Sequence, residues 1–167
     1  MAQKINTYLW FDDQAEQAAE LYVRLFNERP GGPKEESKVT TVTPYSEAGP
    51  GEPGTAMVVN FELEGQEYIA LNGGPQFSFT EAISLFVHCD SQEEVDHFWN
   101  ELIADGGEES QCGWLKDRFG LSWQIIPDRL MELIGDPDPG RSQRAMEAML
   151  QMQKIDVAEI ERAADAA

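Results

Sequence analysis

A few side chains in this sequence could do chemistry. His88 closes the run Ser84-Leu85-Phe86-Val87-His88, and strand alternation puts Ser84, Phe86 and His88 on one face. An imidazole there suits proton transfer near neutral pH; a histidine that merely ends a strand is the plainer alternative. Gln124 sits in a second strand-like run, where Ser122, Gln124 and Ile126 alternate with Trp123 and Ile125. One set faces a ligand and the other packs against helices. Cys112 precedes Lys116 in the stretch Cys112-Gly113-Trp114-Leu115-Lys116-Asp117. A thiolate assisted by that cation would be a nucleophile, but no activating base is assured beside it. The same stretch reads equally well as a packed indole followed by a turn.

Asn72-Gly73-Gly74-Pro75 could bring backbone amides to an anion. It lacks both the P-loop and the dinucleotide-binding spacing, so a loop joining two modules explains it better, with the Asn72 amide at a cleft mouth. Neither Cys89 nor Cys112 has a CxxC neighbour, which excludes a zinc knuckle or redox motif. His97 falls on the polar side of a helix and reads as solvated.

These residues are positioned by a repeat. At an offset of 77 residues, Thr7 to Phe11 falls on Ser84 to His88, and Asp13 on Asp90. The stripe Ala18, Leu21, Tyr22, Leu25, Phe26 falls on Val95, Phe98, Trp99, Leu102, Ile103, both at helical spacing. At an offset of 55, Gly65, Tyr68 and Ile69 fall on Gly120, Trp123 and Gln124. Each copy therefore reads as βαβββ.

The first copy, about 4–75, has a strand over 4–11, an Asp13-capped helix over 14–27, a strand from Val39 to Tyr45, a flexible loop over 46–54, and a hairpin of Ala56–Leu63 and Tyr68–Leu71. The second, about 82–127, has a strand over 83–89. A helix follows with a Ser91/Glu94 capping box and an end at Gly106-Gly107, then a hairpin turned at Asp117–Gly120. The paired modules fill 1–127. Residues 128–167 form a helical extension, with helices over 129–134, after Asp138-Pro139, and over 157–165 behind Asp156. Met146, Met149, Leu150 and Met152 give it an apolar side, to pack against the sheets or a second subunit. The fold class is α+β.

Composition narrows the function. Of 167 residues, 31 are acidic and 12 basic, a formal charge of −19. Without clustered Lys or Arg, nucleic acid and anionic membrane surfaces are excluded as partners. No apolar run approaches the roughly 18 residues of a membrane helix, and the first residues lack a signal peptide's apolar stretch, which implies a cytoplasmic protein.

Leu9-Trp10-Phe11-Asp12, Ala70-Leu71-Asn72-Gly73-Gly74-Pro75 and Cys112-Gly113-Trp114-Leu115-Lys116-Asp117-Arg118-Phe119-Gly120-Leu121-Ser122-Trp123-Gln124 resemble the PhnB-like family. This demethylubiquinone methyltransferase-like family belongs to the vicinal oxygen chelate superfamily, with glyoxalase, bleomycin-resistance proteins and extradiol dioxygenases. The resemblance reads as covering nearly the whole chain, tail included. It implies two tandem βαβββ modules forming a curved mixed sheet, usually in a homodimer.

Enzymes of the superfamily hold a divalent metal with His, Glu or Gln from the first and last strands of each module. Carried over by spacing, those positions are Thr7 and Ile69, then Ser84 and Gln124. Ile69 cannot ligate, and Thr and Ser are poor substitutes for carboxylate or imidazole. The expectation is a pocket between the modules that takes a small organic molecule without a tightly held metal. Thr7, Asn72, Ser84 and Gln124 supply its polar lining, Phe11 and Phe86 its walls, and His88 and Cys112 are the catalytic candidates. An enzyme of the superfamily's kind (lyase, isomerase, dioxygenase or group transfer), using a divalent metal or a general base, is the alternative. A non-catalytic dimeric sequestering or scaffold protein is the third reading.

Overall fold

The computed structural model describes residues 3–166 and divides into two compact units, met in turn along the chain at 3–79 and 80–166. The first contains β1 (Thr7–Phe11), α1 (Ala15–Asn27), β2 (Lys38–Pro44), β3 (Ala56–Leu63) and β4 (Gln66–Asn72). The second contains β5 (Ser84–Cys89), α2 (Gln92–Ile103), β6 (Glu108–Glu109), β7 (Trp114–Lys116), β8 (Ser122–Pro127), α3 (Asp128–Ile134), α4 (Pro139–Met149) and α5 (Val157–Asp165). Each unit has its own four-stranded mixed sheet, ordered β1-β4-β3-β2 and β5-β8-β7-β6. In both, the first strand runs parallel to the last, and the remaining pairs are antiparallel.

A parallel pair needs a crossover, and the helix supplies it. That forces the helix onto one face of each sheet. In the first unit Leu9, Phe11, Val59, Phe61, Tyr68 and Ala70 are buried with Ala18, Leu21, Tyr22 and Leu25 of α1. In the second, Val87, Cys89, Leu115, Trp123 and Ile125 are buried with Val95, Phe98, Trp99 and Leu102 of α2.

Burial corrects the repeat by one residue. The helix stripes do match at 77, but Leu9 with Val87 and Phe11 with Cys89, the buried strand positions, lie 78 apart. The difference is one residue fewer between β5 and α2 than between β1 and α1. Because a slip of one residue exchanges the faces of a strand, the counterpart of Ser84 is Asn6 and not Thr7. Trp10 takes the opposite parity from Leu9 and Phe11. It meets Phe77 edge-on at 4.9 Å and donates from Nε1 to Gly74 O at 2.9 Å.

The helix ends also differ in part from expectation. Asp13 does not cap α1. Asn72 does so from the neighbouring strand end, its Oδ1 accepting from Ala15 N at 2.8 Å. Ser91 and Glu94 form the expected capping box on α2, with Oε2 of Glu94 accepting from Asp90 N at 2.6 Å. That helix stops at Ile103, short of Gly106-Gly107, because Asp105 (φ 56°) and Gly106 (φ 112°) are left-handed and cannot continue it. The loop 46–54 is organised around the Tyr45 ring. A Cβ on Gly49 or Gly51 would lie 2.8 or 2.3 Å from it, and the Tyr45 hydroxyl donates to Asn72 O.

Asp138 and Asp156 cap α4 and α5 as expected. The tail packs on its own unit: Ile126 joins Leu130, Leu133, Ala145, Ile155, Ile160 and Ala164 in one cluster, with Met149 and Met152 against it. Met146 and Leu150 are left exposed. Gln92 of α2 clamps the tail backbone, donating to Ile155 O at 3.0 Å and accepting from Val157 N at 2.8 Å. The Cys112-Gly113 turn holds it too, through Cys112 N to Met152 O and Gly113 N to Gln153 O, both 2.8 Å.

Gly113 has φ +82°, and a Cβ there would lie 2.5 Å from Ile126 Cδ1 and 3.1 Å from Ile125 O. Gly113→Ala should therefore cost about 1–3 kcal/mol in urea unfolding. An unchanged midpoint would show that the turn is not where the tail is anchored.

Candidate functional site

With α2 on one face of the second sheet, register assigns the other. Ser84 pairs with Ser122 and Phe86 with Gln124 across β5–β8, while Trp114 pairs with Gln124 and Lys116 with Ser122 across β7–β8. Neighbouring strands lie about 4.8 Å apart. The face opposite α2 thus carries two rows: Phe86–Gln124–Trp114, an amide between two aromatic rings, and Ser84–Ser122–Lys116, two hydroxyls and an ammonium.

The Gln124 amide donates from Nε2 to Ser84 Oγ at 2.9 Å, which confirms that the two share this face. Ser122 is buried, and its Oγ has no hydrogen-bond partner among the described residues. Buried hydroxyls nearly always have one, so this orphan stands out. Ser122 was visible in the sequence only as a neighbour of Gln124; no motif marked it. Lys116 Nζ lies 2.9 Å from Glu81 and 3.5 Å from Glu108. The Glu81 bond, then the Glu108 charge, hold its ammonium above the usual lysine range, and the same bond holds the Glu81 carboxyl below the usual carboxylate range. A lysine so held is a fixed positive charge, unsuited to acting as a base.

At the end of the same face His88 is largely exposed. Its ring meets Phe86 at 4.8 Å, and its Nδ1 lies 2.8 Å from Asp128 Oδ1. Asp128 opens α3, so this contact ties the end of β5 to the start of the tail.

The remaining sequence candidates take other positions within their own units. Thr7 and Phe11 take the helix-covered parity of β1; Phe11 is in the core, edge-on to Phe79 at 5.1 Å. Cys112 is half-buried at a left-handed turn (φ 58°) that holds the tail. Asn72 does border a cleft, of about 530 Å³, within the first unit. Its amide is engaged there, by Ala15 N and by donating to Ala56 O at 3.0 Å, and the cleft's charged lining (Asp12, Asp13, Glu16, Glu52) is wholly acidic. The amides of Gly73 and Gly74 are spent on Phe11 O and Asp12 O, at 2.8 and 3.1 Å, so they cradle no phosphate.

In the first unit the matching rows are Tyr8–Ile69–Asn60 and, with Asn6 alongside, Glu67–Glu62. Asn6 Nδ2 donates to Glu67 Oε2 at 2.9 Å. Against a divalent ion, Ile69 offers no lone pair, and Ser84 and Gln124 are neutral and bonded to each other. That donor set lacks the carboxylates or imidazoles such an ion needs. Among the described residues no group of three or more His, Cys, Asp or Glu side chains is arranged to hold a metal, and no helix is long and apolar enough to cross a membrane.

Paired βαβββ units with a helix on one sheet face define the glyoxalase/bleomycin-resistance/dioxygenase fold. The sequence profile of the 3-demethylubiquinone-9 3-methyltransferase family matches residues 3–126. A PhnB protein from Bacillus cereus is 34% identical, covering 75% of this chain and 99% of its own, with a TM-score of 0.64. PA1353 from Pseudomonas aeruginosa shares the fold at 18% identity, covering 75% of this chain and 98% of its own, with a TM-score of 0.58. No match is found among the curated proteins. The chain belongs to the PhnB-like family of the vicinal oxygen chelate superfamily. The match ends at residue 126, so α3–α5 lie beyond it, and the resemblance does not extend over the tail as the sequence motifs had suggested.

Two substitutions separate site from scaffold. Ser122→Ala removes an unsatisfied buried hydroxyl and should raise stability by about 1 kcal/mol. Asn72→Ala removes the α1 cap and should lower it by about 1–2 kcal/mol. Urea unfolding reads both, and a destabilised Ser122→Ala would mean that the hydroxyl is already satisfied.

Proposed function

We infer that this chain binds a small organic molecule against the face of the second-unit sheet opposite α2, without a tightly held metal. The observation that carries the reading is the half-buried Gln124 side chain, which spends one N–H on Ser84 Oγ, keeps its carbonyl oxygen and second N–H, and lies between Phe86 and Trp114. Ligand sites combine apolar contact with a few placed polar groups of this kind. The neighbouring aromatic side chains supply apolar contact. Homodimerisation, implied by the family, and a cytoplasmic setting, implied by composition, belong to the same reading.

A second reading rests on the His88–Asp128 contact. A carboxylate on Nδ1 fixes the ring and leaves Nε2 as a general base beside the same face, which suits proton abstraction from a bound carbonyl compound. Cys112, engaged through its turn with the tail, is the weaker nucleophile candidate.

A thermal-shift panel of uncharged and charged organic molecules tests both. The expected result is a stabilising hit whose shift Gln124→Ala abolishes and His88→Ala preserves. If the hit is turned over and His88→Ala removes turnover while binding persists, the general-base reading holds. A hit indifferent to Gln124→Ala contradicts the placement, and a panel with no hit favours a non-catalytic scaffold.

A further inference from the structure

We propose that Asn72–Gly73 is a latent deamidation site, held closed by the same bonds with which Asn72 fastens the start of α1. It is the one Asn-Gly pair in the sequence. Glycine has no Cβ to obstruct its own nitrogen, so Gly73 N can attack Asn72 Cγ. The N–Cγ bond forms as Cγ–Nδ2 breaks, and the proton of Gly73 N leaves with Nδ2 as ammonia. Water then opens the resulting succinimide at either carbonyl. One opening gives aspartate. The other gives isoaspartate, with the side-chain methylene carried in the main chain.

In the folded chain every group in that step is engaged. Asn72 Oδ1 accepts from Ala15 N at 2.8 Å, and Nδ2 donates to Ala56 O at 3.0 Å. The attacking Gly73 N–H donates to Phe11 O at 2.8 Å, and Asn72 O accepts from the Tyr45 hydroxyl. Asn72 is also the last residue of β4, paired with Phe11, and its extended backbone holds Gly73 N away from Cγ. Ring closure turns that backbone and rotates the amide. The bonds to Phe11 O and Ala15 N must therefore both be released first.

Neither product can restore the fastening. An ionised aspartate keeps an acceptor for Ala15 N but has no proton to donate to Ala56 O. It also adds charge to a cleft whose charged lining, Asp12, Asp13, Glu16 and Glu52, is already acidic. An isoaspartate lengthens the main chain before Gly73 and carries its N–H out of register with Phe11 O. The step is one-way, so the modified fraction records how often the start of α1 has opened.

Full chain would be incubated at mildly alkaline pH across a urea series. Peptide mapping by mass spectrometry reads the loss of Asn72, and hydrogen exchange reads the Ala15 N–H. The expected result is that native chain loses Asn72 at least about tenfold more slowly than unfolded chain, because the reaction draws only on the open fraction. Below the unfolding midpoint, the loss of Asn72 and the exchange of the Ala15 N–H should climb together. Asn72→Asp, which reproduces one product, should unfold at lower urea than the parent. Equal loss of Asn72 in native and unfolded chain overturns the proposal, as does loss of Asn72 while the Ala15 N–H stays protected. So does an unfolded chain that keeps Asn72 intact, or an Asn72→Asp variant as stable as the parent.

Discussion

The rest of the structure depends on one constraint, the parallel pairing of the first strand of each unit with its last, β1 with β4 and β5 with β8. A parallel pair cannot be closed by a hairpin. The helix between the first two strands must cross over, and it then occupies one face of the sheet. Strand alternation does the rest, so every second residue on β5 and β8 is committed to the α2 core. Val87, Cys89, Trp123 and Ile125 take that side. Ser84, Phe86, Ser122 and Gln124 are left on the other, whatever their chemistry.

Each unit fastens its helix differently. The second relies on local sequence, the Ser91/Glu94 box at the start of α2. The first relies on a distant residue, Asn72, which caps α1 from the end of β4 and binds Ala56 O as well. That amide is engaged through both its oxygen and its nitrogen, whereas the Gln124 amide spends one N–H and keeps its carbonyl oxygen and second N–H. The buried Asp117 performs the equivalent structural task at the β7–β8 turn. It accepts from Phe119 N, Leu121 N and Trp123 Nε1 at 2.9, 3.0 and 2.9 Å. The tail, outside the family match, is held by Gln92, by the Cys112-Gly113 turn and by Ile126.

Much of this was legible before the structure. Helix stripes, the capping box, the hairpin of Ala56–Leu63 and the Asp138 and Asp156 caps are local signals, and they held. The strand alignment of the two copies did not. Apolar strand residues look alike at neighbouring offsets, and the one-residue difference in the strand–helix links is invisible until burial is known. That slip put Thr7 and Phe11 among the lining candidates and hid Asn6. Ser122 was missed for a different reason: its distinction is the partner it lacks, and only three-dimensional neighbours reveal that. In the second module Gln124 and Ser84 share a face under either alignment, whereas Cys112 lies in the turn that holds the tail.

The central proposal is that no metal is tightly held, since Ser84 and Gln124, at positions that the family resemblance assigns to metal ligands, are neutral and bonded to each other. The most direct measurement is elemental mass spectrometry, read per chain, on protein purified without chelators or metal-affinity resin. The account predicts no near-stoichiometric transition metal, and no uptake when zinc, nickel, iron or manganese is added back. Near-stoichiometric metal that Gln124→Ala releases would contradict it.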